Sequence, residues 1–166
     1  AESKPVKERL RDIKKAWTKA PRNERLEFLL ELSFEAERTV DDFLLDTVEK
    51  DLDFDTASEA ARCLVMHKNP RDSKDLTKLY NRCKEPQRRS ACVRWLGKYG
   101  PDAPVSELKG VAISEDASAA AAAQALIEAA SSEALKHLDT VAQISKNADA
   151  RKIAVGGLLK AADKRG

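Results

Sequence analysis

Two columns of leucine recur along the chain at a nearly fixed interval. The first is Leu32, Leu64, Leu96, Leu126 and Leu158, with steps of 32, 32, 30 and 32 residues. The second is Leu44, Leu76, Leu108 and Leu138, with steps of 32, 32 and 30. From each first-column leucine to the next second-column leucine is always 12 residues, and the return steps are 20, 20, 18 and 20. One two-residue deletion between Leu108 and Leu126 accounts for both short steps, which unrelated leucines would not share. Self-similarity at this period marks supersecondary units that stack, because one unit cannot bury its own apolar face.

The surroundings of the first column identify the unit as helical. Three residues before each leucine stand Leu29, Ala61, Val93, Ala123 and Val155, and four before stand Phe28, Ala60, Cys92, Ala122 and Ala154. Positions at these spacings share one helical face, and all are apolar. The second column sits in shorter amphipathic segments, such as Leu76 with Leu79 and Tyr80. Asn69-Pro70, Gly100-Pro101 with Pro104, and Ser131-Ser132 separate the helices, since Pro disfavours helix in the residue before it. Asp55, Asp116 and Asp149 stand where the first free N–H groups need acceptors, and Pro86 opens a helix where a missing N–H is harmless. The expectation is an all-α chain of ten helices in five antiparallel pairs, at about 5–36, 39–68, 72–99, 103–130 and 132–163. Within these, the second helices fall at about 22–36, 55–68, 86–99, 116–130 and 148–163.

Composition agrees with thin layers rather than one bulky core. Charged residues make up 35% of the chain, above the usual quarter, while aromatics are only 5%. No apolar run reaches the length of a membrane span, and no signal-peptide pattern is present at the start of the chain, which opens on Ala rather than Met. Cys63, Cys83 and Cys92 are odd in number and lack CxxC spacing. They read as three small packed thiols rather than a disulfide framework or zinc site, which fits a reducing, cytoplasmic compartment.

The stretch from Ser90 through Ala-Cys-Val-Arg-Trp-Leu-Gly-Lys-Tyr-Gly-Pro-Asp-Ala-Pro-Val-Ser-Glu to Leu108 resembles HEAT repeats. It is most similar to the short HEAT-like type of the phycobilisome lyases. The likeness is clearest over residues 55–163 and degenerate over 1–54. It implies a right-handed α-α superhelix, a HEAT-like solenoid whose second helices line the concave face. It specifies chemistry poorly, because such proteins include scaffolds, adaptors, enzyme subunits, lyases and glycosylases. The tetratricopeptide repeat is the competing fold, but Trp95-Leu96-Gly97 has the wrong spacing for it.

On that reading, the residues six before, two before and two after each first-column leucine face a ligand. They are Leu26, Leu30 and Phe34 in the first pair, and Ser58, Arg62 and Met66 in the second. Ser90, Arg94 and Lys98 follow in the third pair, then Ala120, Gln124 and Glu128, then Lys152, Gly156 and Lys160. Two groups are candidate ligand-binding residues. Arg62, Arg88, Arg89, Arg94 and Lys98 form a basic row within residues 61–100, where eleven Lys or Arg oppose three acids. Such a row suits an acidic peptide, phosphates or a nucleic-acid backbone. The competing account is attraction between layers, since residues 26–60 hold twelve acids against two bases. Leu26, Leu30 and Phe34 form the second group, an apolar row either capped by Val6, Leu10, Ile13 and Trp17 or open to a partner helix.

Catalytic constellations are absent. His67 and His137 lie 70 residues apart at unrelated positions, and no metal-ligand spacing, Gly-rich phosphate loop or nucleophile elbow occurs. Asp41 and Asp42 read as neighbours on a helix surface. Gly156 and Gly157 fall inside a helix, where they either admit a neighbour or weaken the last unit. The expected function is therefore a non-catalytic protein-interaction or scaffold module with no cofactor and no metal, its partner another protein, an acidic one where the basic row is used. Nucleic-acid or polyanion binding through the basic row is the alternative, and a subunit of a HEAT-like lyase is a third reading.

Overall fold

The computed structural model describes residues 4–165. Among them are ten α-helices and one 3-10 segment, with no strand. The helices are α1 (Val6–Trp17), α2 (Arg22–Leu32), α3 (Arg38–Lys50), α4 (Phe54–Met66), α5 (Pro70–Arg82), α6 (Pro86–Arg94), α7 (Val105–Ile113), α8 (Ala119–Ala129), α9 (Ser132–Ile144) and α10 (Ala148–Arg165). α3 packs on α4, α5 on α6, α7 on α8 and α9 on α10. The even-numbered helices also pack on one another in order, α2 on α4, α4 on α6, α6 on α8 and α8 on α10.

The leucine columns form the centre of this packing. Leu32, Leu64, Leu96 and Leu126 are buried, as are Leu44, Leu76, Leu108 and Leu138, while Leu158 is half-buried. Around them the core is built largely from alanine. Helix α8 buries Ala119, Ala122, Ala123, Ala125 and Ala129 beside Leu126. Small side chains let helix axes approach closely, and each such contact excludes water from apolar surface on both sides. α1 differs from the rest by attaching through long side chains. Trp17 stands edge-on to Phe43 at 5.2 Å and tilted to Phe28 at 6.4 Å, while Leu10 and Ile13 enter the core.

The helix expected over 86–99 is shorter. It stops at Arg94, and Leu96–Asp102 continues as a 3-10 segment. Two glycines explain the change. A Cβ on Gly97 would lie 1.9 Å from the Ala125 carbonyl oxygen, so this backbone comes too close to α8 for any side chain. Gly100 has φ +59°, a conformation L-residues rarely adopt, and Pro101 follows it. The starts at 22, 86, 132 and 148 agree with expectation, but some of the capping residues differ. Asp53, rather than Asp55, accepts the first free N–H of α4, Asn147 serves α10 in place of Asp149, and Asp116 accepts from Ser118 N ahead of α8. Asn69 and Ser131 cap α5 and α9. A capping side chain must precede the first turn it serves.

The first helix of a pair ends in orphan carbonyls, and in four of the five pairs arginines from second helices satisfy them, whereas Ser145 Oγ and Lys146 N serve the end of α7. Arg25 of α2 donates to Trp17 O and Thr18 O, and Arg89 of α6 to Tyr80 O and Cys83 O. Arg151 of α10 donates to Ser145 O. All three stand seven residues before a first-column leucine. In α4 that position is Ala57, and there Arg88 of α6 supplies the donors instead, at 2.5 Å to Val48 O and 2.7 Å to Asp51 O. These carbonyls have no intrahelical partner, and a guanidinium carries enough donors for two at once.

Candidate functional site

Helices α4, α6 and α8 lie side by side and enclose a groove of about 700 Å³ along their N-terminal halves. Ser58 and Ser90 line it from equivalent positions on α4 and α6, with Arg94 toward one end and Leu52, Phe54 and Gln87 toward the other. Leu52 is 91% exposed at the rim. Ser90 Oγ reaches Ser118 Oγ at 3.3 Å, and Ser58 Oγ accepts from Trp95 Nε1 at 3.3 Å. At the rim, Arg22 from α2 contacts Asp53 and Asp55. Burial works against ionisation of Asp53, but the Thr56 hydroxyl, the Asp55 N–H and Arg22 bring its carboxyl below the ordinary range. The walls are therefore mixed, apolar at Leu52, Phe54, Ala91 and Ala121 and hydrogen-bonding at the two serines and Arg94.

The basic row does not form one open surface. Arg88 is 3% exposed and committed to the end of α3, so it is removed from the set of ligand-binding candidates. Its guanidinium also stacks over Phe54, 5.2 Å from the ring centroid. Arg89 contacts Asp116 at 2.7 Å and lies 4.0 Å from the Tyr80 ring centroid. Burial opposes ionisation of Asp116, yet the Ser118 N–H and the Arg89 guanidinium hold its carboxyl down at about 2. Arg94 reaches Glu128 of α8 at 2.9 Å and stacks on Trp95, while Arg62 is held by Glu59 in its own helix. Lys98 is exposed, its Nζ 5.7 Å from the Trp95 ring centroid. Of the whole row, only Arg94 lines the groove. Charge in this region serves mainly to join successive layers.

The apolar row splits. Leu26 packs against the core, whereas Leu30 is 53% and Phe34 75% exposed. The α1 residues expected to cap them turn elsewhere, Leu10 and Ile13 into the core and Trp17 toward Phe28 and Phe43. Four cations without an acceptor lie together on α1. Lys7, Arg11, Lys14 and Lys15 line a second groove of about 460 Å³ with Leu10 and Thr39, and none forms an ion pair among the described residues.

A buried polar cluster is absent from the sequence-level candidates. His67 Nδ1 is 2.5 Å from Asp41 Oδ1, and Nε2 is 3.0 Å from the Leu32 carbonyl. The Leu32 carbonyl can only accept, so Nε2 donates to it, and a carboxylate at Asp41 favours a proton on Nδ1 as well. Asp72 is fully buried beside Asp41, with Arg71 Nη2 3.5 Å from each carboxylate. Burial, then the Asp41 carboxylate, pushes the Asp72 carboxyl up to about 7. Burial pulls His67 down, but the bonds to Asp41 and Leu32 O outweigh it and raise its value. Asp41 is therefore interior, not a surface residue as its neighbour Asp42 suggested, and the cluster ties the end of α2 to α3, α4 and α5. With Asp41 at 2% and Asp72 at 0% exposure it is closed to substrate.

All three cysteines are free and buried, and burial pushes the Cys63 and Cys92 thiols up to about 12, which leaves them unreactive. Among the described residues no helix is long and apolar enough to cross a membrane, and no three His, Cys, Asp or Glu side chains converge as a metal site requires. No protein-family model and no curated protein sequence matches the chain. The groove itself was foreshadowed by Ser58, Ser90 and Arg94. Leu52 and Gln87 were missed because they sit at helix starts, outside the periodic positions. The arginines seven residues before the leucines carried the signal of the helix-end donors.

Proposed function

We propose that the chain is a non-catalytic protein-interaction module, a HEAT-like right-handed superhelix that receives a partner's peptide segment in the groove over α4, α6 and α8. The observation that carries this reading is the groove's lining, drawn from three successive second helices and mixing apolar walls with Ser58, Ser90 and Arg94. An extended segment with an apolar side chain near Leu52 and backbone polar groups near the serines matches those walls. Peptides selected from a random library against the intact chain provide the test. Leu52→Asp and Gln87→Trp alter exposed rim positions and leave the core untouched, and each should weaken selected peptides about tenfold or more, a difference of about 1.4 kcal/mol. Lys136→Trp on α9 is the control and should change nothing. Failure to select any binder, or binders indifferent to both rim changes, would rule the groove out.

A polyanion-binding reading is favoured by a different observation, the four acceptor-free cations of the α1 groove. It moves the electrostatic site away from Arg88, Arg89 and Arg94, which are held by internal partners. A duplex oligonucleotide should then bind with an affinity that falls steeply with salt, and Lys7→Glu with Arg11→Glu should abolish it. Retention in that variant, with loss on Arg94→Ala, would point back to α6.

A further inference from the structure

The outward face of α10 differs from the same positions in every earlier second helix. Three residues before the column leucine, Leu29, Ala61, Val93 and Ala123 are 0–2% exposed, whereas Val155 is 46% exposed. One residue after it, Ser33, Val65 and Gly97 are buried and Ile127 half-buried, whereas Leu159 is 62% exposed. In α2, α4, α6 and α8 the next even-numbered helix packs alongside. Glycine marks two of these contacts. A Cβ on Gly97 would strike the Ala125 carbonyl, and one on Gly157 would lie 2.5 Å from Ile127, but a Cβ on Gly156 would meet nothing within 4 Å. Gly156 is therefore an open notch beside an exposed leucine.

Lys152, Val155, Gly156, Leu159 and Asp163 fall on one face of α10, at spacings of 3, 4, 7 and 11 residues from Lys152. The face is self-complementary. When two such helices run antiparallel about a two-fold axis between residues 157 and 158, Lys152 stands opposite the partner's Asp163. In the same register Leu159 stands opposite the partner's Gly156. Lys152 and Asp163 are exposed, and neither forms an ion pair among the described residues. The corresponding side of α2 is occupied, since Arg9 of α1 holds Glu31 and Glu35 there. A head-to-tail stack therefore lacks a receiving face, while a two-fold contact closes on itself. We propose that a second copy of this chain docks here, α10 against α10 and antiparallel, with each Leu159 seated on the other's Gly156 and two Lys152–Asp163 bridges flanking them.

Sedimentation equilibrium of the intact chain should show a monomer–dimer equilibrium between about 1 µM and 1 mM, the range of a small interface. Leu159→Glu should leave only monomer, with an unchanged helical circular-dichroism spectrum because the side chain is exposed. Lys152→Glu alone and Asp163→Lys alone should each weaken the dimer about tenfold or more, since like charges then face each other twice. Mixing those two variants in equal amounts should restore dimer, because each supplies the charge that the other lacks. Phe34→Ser should have no effect. A chain that stays monomeric throughout, a dimer that survives Leu159→Glu, or a mixture that fails to recover would each overturn the proposal, as would loss of the dimer in Phe34→Ser.

Discussion

Arg88 shows how one side chain can carry the join between two layers. Its guanidinium donates to Val48 O and Asp51 O at the end of α3 and is almost wholly buried. Removing it strands two carbonyls and opens a space beside Phe54. Arg88→Ala should therefore cost on the order of 3 kcal/mol in urea unfolding, and Arg88→Lys should recover little because an ammonium lacks the planar fork. A cost below about 0.5 kcal/mol would refute the assigned role. Asp72 and His67 make a second residue-scale prediction. Both titrate above their ordinary values of 3.8 and 6.5, Asp72 at about 7. A value raised by folding contributes stability at low pH and loses it as pH rises. For Asp72 the loss falls between about 4 and 7, and for His67 it comes above the ordinary histidine value. Asp53 and Asp116 ionise below that window and do not mask it. Tm should fall from pH 5 to pH 8. Asp72→Asn, which is never charged, should flatten the curve and raise Tm at pH 8 by about 4 °C or more, since about 1 kcal/mol moves Tm by about 2–4 °C at this size. A flat wild-type profile over that range would sink the assignment.

At the scale of elements, alanine and glycine exchange roles at two points, and the exchange predicts opposite signs. Gly97 sits where the 3-10 segment meets the Ala125 carbonyl, and the atom in the way is backbone, which cannot swing aside. Gly97→Ala should cost several kcal/mol or prevent folding. Ala130 ends α8 with φ +53°, a left-handed conformation that a Cβ resists. Ala130→Gly should stabilise the chain by roughly 0.5–1 kcal/mol, the left-handed strain relieved exceeding the entropy glycine adds to the unfolded chain. Chemical denaturation of both variants checks the pair, and equal signs would contradict it. Helix identity was legible in the apolar spacing. The early end of α6 was not, because the apolar pattern runs on through Leu96, and only the approach of α8 makes Gly97 decisive. Two helix caps were misassigned for a related reason. Asp55 and Asp149 are plausible caps by type, but Asp53 and Asn147 stand at the geometry that reaches a free N–H.

At the scale of the whole molecule, layers of opposite charge interlock. Arg9 meets Glu31 and Glu35, Arg82 meets Glu49, Arg89 meets Asp116 and Arg94 meets Glu128, each pair joining segments more than 20 residues apart in the chain. The net charge is only +2, so salt has little overall repulsion to relieve and much local attraction to screen. Raising NaCl from about 0.01 M to 1 M shortens the screening length from about 30 Å to 3 Å, and Tm should fall by a few degrees across the lower part of that range. A steady rise from the lowest salt would mean that repulsion dominates instead. The sequence by itself determined that the chain is helical, how many helices it has, and which leucines are interior, because helical periodicity and turn chemistry act over a few residues. Tertiary structure alone decided which charges are free. Arg88, Arg89 and Arg94 look on paper like a basic binding row, yet carbonyl ends and carboxylates from other helices hold them. Asp41 and His67 look unrelated, yet they meet in the interior. Burial and pairing depend on residues 26 to 40 positions apart, distances over which no local pattern in the chain carries information.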